Sequence, residues 1–191
     1  MSVKVCVING APGSGKTTFE NICREKCNMF QRVPGFNKDH MLWIDICSTV
    51  DFVKDLALEC GWDGTKTLKN RKFLSDLKDL LTEWDDVPFK KIEERAQLRA
   101  KDASAVDWIL FVDCREPAEI QKLKERLNAI TVLIRRPGDE ETETSNHADA
   151  GVFDYDYDLN IYNEYGLDEL EMLAKEFIDY LRGVSDYEYD Y

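Results

Sequence analysis

Val3-Lys-Val-Cys-Val-Ile-Asn9 runs straight into Gly10-Ala-Pro-Gly-Ser-Gly15-Lys16-Thr17. The first segment is almost wholly apolar and reads as a buried strand. The second has the phosphate-loop spacing G-x-x-x-x-G-K-[ST]. Glycines at these places let the backbone curl so that several N–H groups point at phosphate oxygens. Lys16 then reaches the β and γ phosphates, and the Thr17 hydroxyl is placed to meet Mg²⁺. The helix expected from Thr17 onward aims the positive end of its dipole at the same anions. This pattern predicts a nucleotide site formed by Gly10, Ala11, Gly13, Ser14, Gly15, Lys16, Thr17 and Thr18, with ATP and Mg²⁺ as cofactors. The alternative is a chance match in a glycine-bearing loop, and the apolar strand before it and helical pattern after it count against that.

Outward from this motif, 191 residues suffice for one well-buried domain. We expect a single domain over 1–184, with inserted substrate-side helices at about 62–104, a lid at about 135–153 and an acidic tail at 185–191. Hydrophobic residues make up 43% and charged ones 33%, an ordinary balance for a globular chain. No apolar run approaches the roughly 20 residues of a membrane span. Met1-Ser-Val-Lys4 enters a strand rather than a signal peptide, so a cytoplasmic protein is expected. The formal net charge of -13 argues against nucleic acid as a partner and for a small-molecule nucleotide. A monomer or homodimer is expected. The six cysteines lack paired C-x-x-C spacing, so reduced, mostly buried thiols are expected.

Strands and helices alternate along the chain. Apolar runs predict strands at Val3–Asn9, Met41–Ile46, Val106–Asp113, Ile130–Ile134 and Asp158–Tyr162. Helices are expected at Thr17–Phe30, at Thr49–Glu59 with Ser48 as cap, and at Asn70–Trp84. The last of these carries Phe73, Leu74, Leu77, Leu80 and Leu81 at helical spacing. Further helices follow from Pro88 to about Ala103, over Glu116–Leu127 and over Leu167–Leu181. The order implies an α/β phosphate-loop fold, a five-stranded parallel sheet with helices on both faces. Binding then belongs at the carboxyl ends of the strands.

Several side chains fall at those ends. Asp113 closes the third strand, where it suits Mg²⁺ or a cap for the helix after it. Arg115 suits an acceptor phosphate, which guanidinium grips bidentately, or a surface ion pair with Glu116 or Glu119. Arg135 and Arg136 open a polar segment and suit a lid that neutralises charge in the transition state, or a solvated pair. Asp45 and Asp51 bracket the end of the second strand, where a sugar hydroxyl, Mg²⁺, base catalysis or capping are the choices. His40 and His147 are isolated, and His147 falls in the expected lid.

The phosphate loop, Asn70-Arg-Lys-Phe-Leu74, Val112-Asp-Cys-Arg-Glu-Pro117, Arg135-Arg136, Ser145-Asn-His-Ala-Asp149 and Asp158-Leu-Asn-Ile-Tyr-Asn163 with Leu167-Asp-Glu-Leu170 together resemble the phage and bacterial deoxynucleoside monophosphate kinases. The resemblance runs through nearly the whole chain in order. It departs at Arg-Glu-Pro-Ala-Glu119, at Ala148-Asp149 and at Asn163-Glu-Tyr-Gly166, which carries one extra residue. It implies phosphate transfer from ATP to a nucleoside or deoxynucleoside monophosphate. On this likeness Arg71 and Arg115 hold the acceptor phosphate and Arg135 and Arg136 act from the lid. Two other readings stand beside it: a hydroxyl acceptor, as in nucleoside or dephospho-coenzyme A kinases, with Asp45 as base, and a non-catalytic ATP-binding module. A GTPase is disfavoured because Asn37-Lys-Asp-His40 has the wrong order for N-K-x-D and comes too early.

Overall fold

β1 (Lys4–Asn9) is buried from Val5 to Asn9, which places it at the centre of the sheet. The computed structural model describes residues 3–29, 42–102, 107–138 and 151–183. After β1 come α1 (Lys16–Met29), β2 (Leu42–Ser48), α2 (Asp51–Glu59), α3 (Leu68–Asp85), α4 (Val87–Ala100) and β3 (Asp107–Asp113). They are followed by α5 (Pro117–Leu127), β4 (Ile130–Arg135), β5 (Leu159–Tyr162) and α6 (Leu167–Arg182). The five strands lie in the order β2-β3-β1-β4-β5, and every neighbouring pair is parallel. The expected α/β fold with a five-stranded parallel sheet is therefore present. Pro34-Gly35, His40, Ser145–Asp149 with His147, and the tail 185–191 lie outside the described residues.

Strand alternation divides the core in two. Cys6 and Ile8 of β1 and Ile109 and Phe111 of β3 face α1 and α6, where Phe19, Cys23, Ala174 and Phe177 are buried. Phe177 sits 5.6 Å from Phe19 and 6.1 Å from Phe111, centroid to centroid. Val5, Val7, Leu110 and Val112 face the other way, onto Phe89, Ile92 and Ala96 of α4 and Ile120 and Leu123 of α5. Both faces are covered, which is why β1 and β3 read as nearly continuous apolar runs. Cys6, Cys23, Cys27, Cys47 and Cys114 are buried free thiols, and Cys60 is exposed.

Several details differ from expectation. α2 starts at Asp51 with Val50 as its cap residue, not at Thr49 after Ser48. Ser48 and Asp51 still brace the turn: the Ser48 N–H donates to Asp51 Oδ2 at 2.8 Å, and Ser48 Oγ accepts from the Val50 N–H at 3.4 Å. α4, within the expected inserted segment, shares a core cluster with β1 and β3 through Phe89, Ile92 and Ala96. The expected lid is bounded on its far side by Val152, which is fully buried in that core.

α3 departs most. Its Phe73 and Leu80 are exposed, as are Leu68 and Trp84, and the buried residue of the helix is Lys78. Instead of lying on the sheet, α3 packs against α2 and α4. Its inward anchor is ionic: Lys78 Nζ donates to Glu116 Oε1 at 2.7 Å and to Glu119 Oε2 at 2.8 Å. Burial alone would lower the Lys78 ammonium, but Glu119 and Glu116 outweigh it and hold its pKa above the ordinary value. Removing the cation leaves two carboxylates facing each other in a half-buried site. Lys78→Met should therefore lower the unfolding free energy by about 3 kcal/mol, read as a reduced urea midpoint.

Candidate phosphate site

The loop between β1 and α1 is held at both ends by buried asparagines. Asn9 Oδ1 accepts from the Gly10 N–H at 2.8 Å, and Asn9 Nδ2 donates to Tyr157 Oη at 2.7 Å and to the Arg115 carbonyl at 3.4 Å. Tyr157 Oη in turn donates to the Val152 carbonyl at 2.9 Å. On the far side Asn163 Nδ2 donates to the Ser14 carbonyl at 2.9 Å. The Asn163 N–H is itself bonded to the Arg135 carbonyl at 2.8 Å, so the clamp is fixed to the end of β4. Asn9 ends the first apolar run and Asn163 closes a segment that carries the family resemblance, but the sequence alone assigns a role to neither.

Glycine is required where this loop meets its walls. A Cβ on Gly10 would stand 2.4 Å from the Ile134 carbonyl oxygen and 2.5 Å from Ser14 Oγ. Gly15 has φ +102°, and a Cβ there would lie 2.7 Å from Asn163 Nδ2. α1 begins at Lys16, and the first turn of a helix leaves N–H groups without intrahelical partners. Ser14 Oγ is buried and has no hydrogen-bond partner among the described residues. These features fit a phosphate group: a cradle too narrow for side chains, a helix N-terminus and an orphaned hydroxyl.

Cations stand around the loop. Lys16 Nζ donates to the Gly10 carbonyl at 3.0 Å, and Arg136 Nη1 to the Gly13 carbonyl at 3.2 Å. The Arg135 guanidinium lies 5.4 Å from the Phe153 ring centre and 6.0 Å from that of Tyr162. Arg115 is exposed just beyond β3, with Asn9 on its carbonyl. Glu116 and Glu119, the ion-pair partners considered for it, are engaged by Lys78.

Asp113 sits at the carboxyl end of β3, in register with Ile8 of β1 and Ser48 of β2. The residue capping α5 is Glu116, so Asp113 is not that cap. Alternation with Ile109 and Phe111 turns its side chain toward α1. Burial raises its carboxyl above the ordinary value, with Lys16 and Arg115 opposing and Asp51 adding. Glu20, one helical turn beyond Lys16, was also missed from sequence. It is 2% exposed, and its Oε1 has no hydrogen-bond partner among the described residues. Burial and then Asp113 push its carboxyl up to about 8, against Lys16 and Arg24. A signal existed: Glu20 lies beside Phe19 and three residues from Cys23, on the inner face of the helix.

Two expected residues are not brought to the loop. Arg71 is exposed in the first turn of α3. Asp45 lies mid-strand in β2, and its carboxylate is occupied. Arg95 donates to both of its oxygens, at 2.8 Å and 2.6 Å, and Arg99 Nε to Oδ2 at 2.8 Å. Arg99 also stacks on Trp108, 4.3 Å from the ring centre. Burial would raise the Asp45 carboxyl, but the two arginines outweigh it and hold it below the usual range. Asp45 therefore fastens α4 to β2, and its occupied carboxylate does not suit the base role of the hydroxyl-acceptor reading.

Asp45→Asn should lower stability by about 1–3 kcal/mol, the worth of charged hydrogen bonds, in chemical denaturation. For Glu20 the sign is opposite. A carboxyl raised in the folded state holds a proton that the unfolded chain releases first, so stability falls as pH climbs from about 4.5 to about 8. Glu20→Gln should remove that fall, giving a higher Tm than the wild type at pH 8 and a smaller difference at pH 5.

No family model and no curated protein matches this chain. Solved structures similar to it include an unliganded sugar kinase from Janibacter sp. HTCC2649, at 14% identity and TM-score 0.48, over 97% of this chain and 99% of that one. Another is a thymidylate kinase from Ehrlichia chaffeensis, at 15% identity and TM-score 0.48, over 95% of this chain and 100% of its own.

Proposed function

We propose that this chain is an ATP-dependent phosphotransferase that moves the γ-phosphate of ATP to a nucleoside or deoxynucleoside monophosphate. The observation that carries this reading is the side-chain-free cradle at Gly10 and Gly15, clamped by Asn9 and Asn163 with Lys16 at its edge. It stands at the carboxyl end of the central strand, where open α/β sheets bind ligands.

Lys16 would exchange its bond to the Gly10 carbonyl for the β and γ phosphates. The Thr17 hydroxyl and the Asp113 carboxylate would hold Mg²⁺, which when bound draws charge from the phosphate oxygens. Among the described residues no three His, Cys, Asp or Glu side chains converge as a metal cage. Arg136, already on the loop at Gly13, and Arg135 at the end of β4 would neutralise charge on the transferring group. Arg115 and Arg71 would grip the acceptor phosphate bidentately. Chemistry of this kind is positioning plus charge neutralisation, with no covalent intermediate on the protein. Occupation of Asp45 by Arg95 and Arg99 favours a phosphate acceptor over a hydroxyl one, which would need a base.

Incubation with ATP and Mg²⁺ against nucleoside monophosphates, deoxynucleoside monophosphates and nucleosides tests this. ADP should form only with certain monophosphates, and Lys16→Ala should lower turnover by about 100-fold or more. Product from nucleosides would move the reading to a hydroxyl acceptor. ATP binding without turnover across the panel would make the chain a binding module.

A further inference from the structure

Glu20 is a carboxylate in a place that ordinarily rejects one. The inner face of α1 is otherwise Phe19, Cys23 and Cys27, all buried against the sheet and α6. A buried carboxylate is costly unless hydrogen-bonded donors or a cation compensate it. Among the described residues no donor reaches Glu20 Oε1. Lys16 and Arg24 on the same helix act on Glu20 without overcoming its burial; Lys16 Nζ also donates to the Gly10 carbonyl and the exposed Arg24 to Asn21 Oδ1. Asp113 is an acidic group that acts on Glu20, and alternation with Ile109 and Phe111 turns its side chain to the same side of the sheet.

We infer that Glu20 belongs to the cation site of the phosphate loop, its carboxylate joining Asp113 in taking one hard divalent ion of the Mg²⁺ type. This deepens the proposed nucleotide site and rests on it. Mg²⁺ prefers oxygen ligands, keeps several waters, and is bound by one or two carboxylates together with phosphate rather than by a closed protein cage. Glu20 and Asp113 supply that number. The ion answers the burial of Glu20, and Glu20 adds a second negative charge that tightens the ion when phosphate arrives. Nucleotide and cation are then strongly coupled, each raising the affinity of the other by the same factor.

Mn²⁺ is the probe, because its free aqua ion is read directly by electron paramagnetic resonance. Its Kd is measured with and without a non-hydrolysable ATP analogue for the wild type, Glu20→Gln and Glu20→Asp. Analogue binding in EDTA and thermal melts are recorded on the same samples. Glu20→Gln should weaken Mn²⁺ about tenfold or more while leaving the fold and analogue binding in EDTA intact. Glu20→Asp, which keeps the carboxylate, should lose less. A Mn²⁺ Kd for Glu20→Gln within twofold of wild type, with the analogue still bound, overturns the role of Glu20 and leaves the nucleotide site standing. Loss of Mn²⁺ binding in Glu20→Gln from a protein that ignores the analogue supports the cation site and overturns the nucleotide reading. A wild type that takes no Mn²⁺ with or without the analogue overturns this inference.

Discussion

The Gly10 Cα approaches the backbone of β4 so closely that a side chain there would collide with the Ile134 carbonyl, and the rest of the site is arranged around that contact. It brings the loop across the ends of two adjacent strands. Asn9 and Asn163 then satisfy buried backbone groups that would otherwise be orphaned at so tight a turn. Because Asn163 is tied to the Arg135 carbonyl, the loop and the ends of β4 and β5 share one hydrogen-bonded support. Lys16 and Arg136 both bond to carbonyls of the loop held by that support. A site held within fractions of an ångström by its surroundings loses little in reorganisation when charge develops.

The chain is strongly acidic, yet its interior handles charge by two different devices. At Lys78 and at Asp45 each buried or half-buried charge meets two opposite partners, and the result is a fastening between helices or between a helix and a strand. At Glu20 no such partner is present on Oε1. Burial pushes its carboxyl up to about 8, so this group meets its surroundings by keeping a proton rather than by pairing a charge. Glu20 thus differs in kind from the other interior charges, although all three are equally conspicuous as charged residues in a sequence.

Element order and the glycine loop between β1 and α1 were legible because each rests on local pattern: an unbroken apolar run for β1 and β3 and glycine spacing for the loop. What escaped the sequence depends on long-range partners. Asn9 pairs with Tyr157 and Asn163 with Ser14, across 148 and 149 residues respectively. No window along the chain contains both members of either pair. Asp45 had several open roles at the end of its strand, and the arginines that occupy it lie on α4, 50 and 54 residues away. The stripe Phe73, Leu74, Leu77, Leu80 and Leu81 on α3 has helical spacing for a core helix, yet Leu74, Leu77 and Leu81 are only half-buried and Phe73 and Leu80 are exposed. It stays largely outside because α4 and α5 already cover that face of the sheet, leaving α3 to pack on helices.

That outer placement gives α3 a thermal character unlike the rest of the protein. Heat capacity rises on unfolding with the apolar area exposed and falls with the polar area. Lifting α3 uncovers Lys78, Glu116 and Glu119 and only half-buried leucines, whereas opening the sheet uncovers Phe19, Phe111 and Phe177. The docking of α3 therefore carries a small heat-capacity change, and its free energy follows a flatter curve with temperature than the strongly curved stability of the sheet. Warming and cooling reshape the core's stability far more than the balance between docked and lifted α3.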